Sequence, residues 1–163
     1  MKRNLVGEMV IEASDYTDNI VSELNKQMFC QIKPDLNTGR GFKTSWLETL
    51  PETGLYCIYK NEKPIYVGYS SASIRNRIHR FIAGVRGTES KNETHSGAYK
   101  YKKYFGEDLD GLSVKVFGFD VSVLPDYLKI QDIERDLMYK LRPILNMEIN
   151  RGYFTANASI VLE

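Results

Sequence analysis

Two tyrosines of this chain stand two positions from a glycine, in opposite order: Gly54-Leu55-Tyr56 and Tyr66-Val67-Gly68. Residues 55–60 and 65–68 are rich in aromatic and β-branched types, the composition of strands. Asn61, Glu62 and Lys63 between them read as the polar link of a β-hairpin. Pro64, which lacks an amide hydrogen, suits the start or edge of the second strand. With the turn centred near residue 61 the two phenols lie opposite one another, and both hydroxyls can meet at one atom. A shift of one residue sends them to different faces. Taken alone, such a pair is more often packing than chemistry, because aromatic cross-strand pairs stabilise sheets.

The helix expected next supplies a cation. Ile74, Ile78, Phe81 and Ile82 have the spacing of one buried face, with Ser71 or Ser73 as N-cap and Gly84 or Gly87 at the end. At about 100° per residue, Arg77 flanks that stripe, whereas Arg75, His79 and Arg80 point outward. An outward arginine needs only solvent or a phosphate. An arginine at the border of a buried face, without a carboxylate partner, suits a transient anion such as a phosphate near its transition state. Glu134 borders the apolar side of a later helix, four residues from Ile130 and Met138. Most glutamates so placed are simply good helix formers. The chemical alternative is a carboxylate kept inward for a divalent cation, since Mg²⁺ takes oxygen ligands and needs one or two carboxylates. No second carboxylate is tied to Glu134 by spacing, so one ion is expected rather than two.

These groups need a frame. The chain has 163 residues, 42% hydrophobic and 26% charged, enough for one core of ordinary size. No apolar run approaches the roughly eighteen residues of a membrane span, and the charged N-terminus lacks the apolar stretch of a signal peptide. Two cysteines, Cys30 and Cys57, without metal-ligand spacing, and only two histidines argue against a zinc site or a disulfide framework. They fit a reducing, cytoplasmic setting. Net charge is +1, but ten lysines and arginines against three acids fall between Leu55 and Tyr104. A basic middle in an acidic frame is a possible footprint for a polyanion, or a solvated surface whose charges happen to cluster.

The remaining pattern gives a helix over residues 16–30 (Ile20, Val21, Leu24, Met28) capped by Thr17 or Asp18. A loop follows over 34–41, then an unassigned stretch holding Trp46, then a turn before Gly54. After the arginine helix come a polar loop over 86–96, a short helix or turn over 97–105, and a strand over 112–119 with Leu112, Val114, Val116 and Gly118 on one face. A helix over 126–141 (Ile130, Ile133, Leu137, Leu141) is stopped by Pro143. The tail after Arg151 reads as a final strand. The whole predicts an α+β fold, a small antiparallel three-stranded sheet flanked by helices with a helical N-terminal extension.

Gly54-Leu55-Tyr56, Tyr66-Val67-Gly68 and Ile74-Arg-Asn-Arg77-Ile78, taken together, resemble the GIY-YIG endonuclease family. His95-Ser96 with the lysines after it is similar to that family's middle region. Glu134 followed by Leu141-Arg-Pro143-Ile-Leu-Asn146 resembles its closing motif. The blocks stand in family order and cover roughly residues 54–146, dividing the chain into an extension (1–50, for DNA recognition or dimerisation), a nuclease domain (51–150) and a tail (151–163). The resemblance implies hydrolysis of a DNA phosphodiester with one Mg²⁺, Mn²⁺ being an expected substitute. By it Tyr56 is general base or water-orienter, Tyr66 assists by a hydrogen bond, Arg77 stabilises developing charge, Glu134 holds the metal and Asn146 braces the site. A phenol with a pKa of ~10 is a poor base at neutral pH, so Arg77, Lys60 or Lys63 and the metal must acidify it. Contacts to double-stranded DNA are expected from Lys60, Lys63, Arg75, His79, Arg80, Arg86, His95, Lys100, Lys102 and Lys103. One departure is Phe81, where many relatives carry a histidine or tyrosine one turn after the arginine; His79 faces away and is no substitute. A second is the stretch over 69–73, about a residue longer than the family's commonest form.

With 17 residues after Asn146 and 53 before Gly54, the layout is most like a compact type II restriction endonuclease cutting as a homodimer. A phage or mobile-element nuclease of homing or repair type is the alternative, as is a catalytically silent nucleic-acid-binding module.

Overall fold

The hairpin sits at the centre of the computed structural model, which describes residues 2–3, 9–32, 50–87 and 95–149. Trp46 and the strand expected after Arg151 lie outside the described residues. Strand β4 (Gly54–Lys60) pairs antiparallel with β5 (Lys63–Ser70) on one side and with β6 (Leu112–Gly118) on the other. The sheet has four strands rather than three. Cys30–Gln31, β3, pairs antiparallel with β6 and completes the order β3-β6-β4-β5. Cys30 was expected at the end of the first helix, but α1 spans Ala13–Lys26 and stops before it. Two further short strands, β1 (Lys2–Arg3) and β2 (Met9–Val10), pair with each other apart from this sheet.

The register of the hairpin decides where the tyrosines point. Asn61 and Glu62 form the turn, both at positive φ (50° and 66°), the geometry of a two-residue turn that follows the strands' own twist. Lys60 faces Lys63 and Tyr59 faces Pro64. Continued unbroken, that register would place Tyr66 across from Cys57, on the face away from Tyr56. A bulge between Ile58 and Tyr59 absorbs one residue of β5, so Ile58 faces Tyr66 and Tyr56 faces Gly68. The tyrosines are therefore not directly opposite, as the simple turn count suggested, but diagonal neighbours on one face. Bulges commonly serve to re-aim a side chain in this way.

Helices cover both faces. Tyr56, Ile58, Tyr66, Leu112 and Val114 pack against α2 (Ile74–Arg86), α3 (Ser96–Phe105) and Leu145 of α5 (Ile144–Ile149). The alternation read for 112–119 holds, since Leu112, Val114 and Val116 all join this core. Helix α2 buries Ile74, Ile78, Phe81, Ile82 and Val85, each worth about 1.5–3 kcal/mol when fully withdrawn from water. Ser73 is its cap, accepting from the Asn76 amide at 3.1 Å, and Gly87 ends it at a φ of 71°. On the other face Leu55, Cys57, Tyr59 and Val67 meet α1 and α4 (Ile130–Leu141).

The N-terminal helix belongs to this second core through Ile20 and Leu24. It begins at Ala13, where the Asp15 carboxylate accepts the Glu12 amide at 2.7 Å. Thr17, expected as a cap, is instead buried against α4. Its hydroxyl donates to Asp136 and accepts from Lys140 Nζ at 2.6 Å, and the same ammonium reaches Asp18 at 2.6 Å. Helix α4 starts four residues later than expected, with the Asp132 carboxylate taking the Lys129 amide at 2.9 Å. Past the end of β3, the Gln27 carboxamide takes over the pairing of β6: it donates to the Val116 carbonyl at 2.7 Å and accepts its amide at 3.2 Å. The buried Lys115 ammonium donates to the Leu24 carbonyl at 2.8 Å and lies 4.0 Å from the centre of the Phe29 ring, a cation held by a helix end and an aromatic face.

Candidate active site

Because β5 is an edge strand, helices from both faces of the sheet reach past it to one place. Arg77 comes from the first turn of α2 and Glu134 from the second turn of α4, packed on the opposite face. They meet Tyr56 and Tyr66, whose ring centres lie 6.1 Å apart. The four groups act on one another's ionisation. Burial, reinforced by Tyr66, holds the Tyr56 phenol well above its ordinary value against the pull of Arg77. Burial and then Glu134 raise Tyr66, opposed by Arg77 and by the hydroxyls of Ser96 and Tyr56. Burial pushes Glu134 up to about 7, although Arg77 and Arg135 favour its ionised form. Arg77 Nε is buried and has no hydrogen-bond partner, so the guanidinium keeps donor capacity for an anion.

Two glycines beside the tyrosines have a steric reason. Gly68 lies under the Tyr56 ring, and a Cβ there would stand 2.4 Å from Cζ and Oη of Tyr56. Gly97, in the first turn of α3, does the same for Tyr66, with its ring carbon Cε2 2.7 Å from where a Cβ would be. The first was visible in the sequence as part of a triplet. The second was not singled out, and its only signal is a glycine at the start of a helix.

Asn146, expected as a brace, acts on the backbone of β5. Buried in α5, it accepts the Val67 amide at 2.6 Å and donates to the Val67 carbonyl at 2.8 Å, bracketing β5 between Tyr66 and Gly68. This is bracing through the backbone. Asn146→Ala strands one buried donor and one acceptor, so unfolding free energy should fall by about 2–3 kcal/mol. A urea midpoint corresponding to a loss below about 0.5 kcal/mol would mean that the bracket carries nothing.

Two residues expected at the DNA surface are placed elsewhere. The Lys60 ammonium is held by the Tyr101 hydroxyl at 3.0 Å, by the Asp108 carbonyl at 3.3 Å and by the Asp110 carbonyl, with the Asp108 carboxylate at 3.7 Å. It fastens the hairpin end to the segment after α3 and is not available to acidify Tyr56. His95 is buried beside the tyrosines. Its Nε2 lies 3.3 Å from Tyr56 Oη, and its ring meets those of Tyr66 and Phe81 edge-on at 5.1 and 5.4 Å. Phe81 makes no polar contact, as its type dictates, but an imidazole does reach the site, from the N-cap of α3.

The other basic candidates lie outside this cluster. Lys63, Arg75, Arg80 and Lys103 are exposed, and His79, Arg86, Lys100 and Lys102 are half-buried. Burial and then Arg75 lower the proton affinity of His79, and Lys102 stands 3.7 Å from Glu107.

For a divalent ion the donor set at the centre is one carboxylate and two phenol oxygens. Among the described residues no group of three His, Cys, Asp or Glu side chains gathers at a point. Hard oxygen donors of this kind fit Mg²⁺, which keeps several waters and shares its remaining positions with substrate phosphate. Burial raises the proton affinity of Glu134, and a bound cation would favour its ionised form. No helix among the described residues is long and apolar enough to cross a membrane.

Comparison with protein-family models, with curated proteins and with solved structures finds no match.

Proposed function

We propose that the chain is a Mg²⁺-dependent endonuclease hydrolysing phosphodiester bonds of double-stranded DNA, site-specific in the manner of a type II restriction enzyme and acting as a homodimer. The observation that carries this reading is the meeting of two phenols, a guanidinium with an unpartnered Nε and one half-buried carboxylate. They come from four separate elements, β4, β5, α2 and α4, and each alone would pass for packing or surface. The resemblance of the motif blocks to GIY-YIG endonucleases supports it independently.

In this reading Arg77 receives the phosphate and stabilises the charge that grows on its oxygens. Tyr56, kept neutral by its buried position, orients the attacking water through its hydroxyl, a role better suited to it than proton abstraction. Tyr66 assists through the hydrogen bond between its hydroxyl and that of Tyr56. Glu134 would hold the Mg²⁺, which when bound supplies charge stabilisation to the phosphate. Asn146 keeps β5, and with it Tyr66, in place.

One observation favours a second reading. Tyr56 is only 1% exposed, as it would be in a catalytically silent module that binds nucleic acid and keeps the tyrosines as core. A plasmid and a long mixed-sequence DNA, digested with Mg²⁺ by the wild type and by Tyr56→Phe, separate the two. Discrete bands, and a loss of about a hundredfold or more in the variant, are expected. A smear would remove the site-specific part, near-normal cleavage by Tyr56→Phe would remove the orienting role, and intact DNA with retained binding would leave the silent module.

A further inference from the structure

We propose that His95 is a positioning residue, locked in one tautomer by the start of α3, that sets the direction in which the Tyr56 hydroxyl points its hydrogen. This deepens the reading above and rests on it for its catalytic meaning, but the geometry can be tested without cleavage.

The lock is the helix cap. His95 Nδ1 accepts the backbone amides of Gly97 at 3.1 Å and Ala98 at 3.3 Å. A nitrogen that accepts carries no proton, so the single hydrogen of the neutral ring resides on Nε2. Nε2 faces Tyr56 Oη at 3.3 Å, which makes the imidazole the donor and the phenol oxygen the acceptor. The ring cannot turn away, because it is 3% exposed and wedged between Tyr66 and Phe81. Protonating it would require Nδ1 to surrender both cap bonds beside the positive end of a helix. Burial first, then Arg77 and Arg80, push its pKa down to about 4.

Two consequences follow for Tyr56. His95 is no base for it, since its one basic nitrogen is occupied by α3. With the imidazole donating from one side, the phenolic hydrogen is left to point toward the side shared by Tyr66, Arg77 and Glu134, where the Tyr66 oxygen, or a water or phosphate oxygen in its place, would accept it. If the phenol does ionise, the same Nε2–H stabilises the phenolate.

The first test is long-range nitrogen–proton NMR on the ¹⁵N-labelled full chain without DNA. With only two histidines, His79→Gln assigns the spectrum. His95 is expected as a single Nε2–H tautomer from pH 6 to 8, and its ring N–H resonance should move in Tyr56→Phe. An Nδ1–H form, an imidazolium, or a resonance indifferent to Tyr56→Phe would overturn the proposal.

The second test splits cap from donor. His95→Asn keeps an acceptor near the Nδ1 position but loses the reach to Tyr56. His95→Gln keeps a donor near Nε2 but loses the cap. The Asn variant should lose about tenfold in kcat, the worth of one ordinary hydrogen bond, with KM little changed and melting near normal. The Gln variant should melt lower and keep most of its kcat. The reverse order would make His95 a helix cap and nothing more. Should no form of the protein cleave DNA, the nuclease reading would fall and the spectrum would still decide the tautomer.

Discussion

Glu134→Gln should cost about a hundredfold to a thousandfold in DNA cleavage and, at pH 8, make the protein more stable. Both effects come from one fact, the half-buried carboxylate whose pKa is pushed up to about 7. In the unfolded chain a glutamate titrates near 4.3, so between that pH and about 7 the folded state holds a proton that the unfolded state has released. Stability therefore falls as pH rises through this window, and the full cost stands above it. An amide removes the cost, leaving the variant ahead by about 1–3 kcal/mol at pH 8 and level with wild type below about pH 4. Melting curves at the two pH values measure this without any DNA. Added Mg²⁺ should raise the wild-type melting temperature at pH 8 and leave the variant's unchanged. A variant that melts like wild type at both pH values would show that Glu134 bears no such strain, and full cleavage by it would remove the carboxylate from the proposed mechanism.

Gly68→Ala should be nearly as damaging, although alanine adds a single carbon. That carbon would stand 2.4 Å from both Cζ and Oη of Tyr56, a distance no packed structure tolerates. The strand cannot give way easily: Gly68 is paired with Tyr56 on β4, and its neighbour Val67 is bracketed by Asn146. Nor can the ring, which is 1% exposed and in contact with His95. Overpacking of this kind costs about 1–3 kcal/mol, and an ångström of displacement at a reacting group can cost about a hundredfold in rate. The expected result is a folded protein with kcat down by that factor. In the double variant with Tyr56→Phe the two losses should not add, because both act through one hydroxyl. Additive losses would place the effect of Gly68 elsewhere.

What could be read from the sequence was local. The hairpin, the buried stripe of α2 and its neighbour Arg77, and the end of α4 before Pro143 each show in period, cap or turn residues within a dozen positions. The fourth strand left no such trace: Cys30 and Gln31 are two residues, both exposed, with nothing to alternate. The bulge was equally silent, since no single residue type announces that β5 absorbs one extra position. Distance in the chain hid the rest. His95 reads as a polar loop residue beside lysines, and only the folded α3 brings it to Tyr56, 39 positions away. Lys60 looked like part of a basic surface because its three oxygen partners lie 41 to 50 residues further on. Glu134 and Arg77, by contrast, were singled out by helical angle alone, and the fold brings them together.

The two carboxamide brackets have a consequence for assembly. Gln27 occupies the free hydrogen-bonding groups of Val116, and Asn146 those of Val67, so at one residue on each side of the sheet a side chain imitates a strand. An open flank is a template on which another chain can add itself, in aggregates as well as in dimers. Here that route is obstructed at Val67 on one side and at Val116 on the other. Another chain, a second copy included, could add itself to the sheet at Val67 or Val116 only by displacing one of these carboxamides.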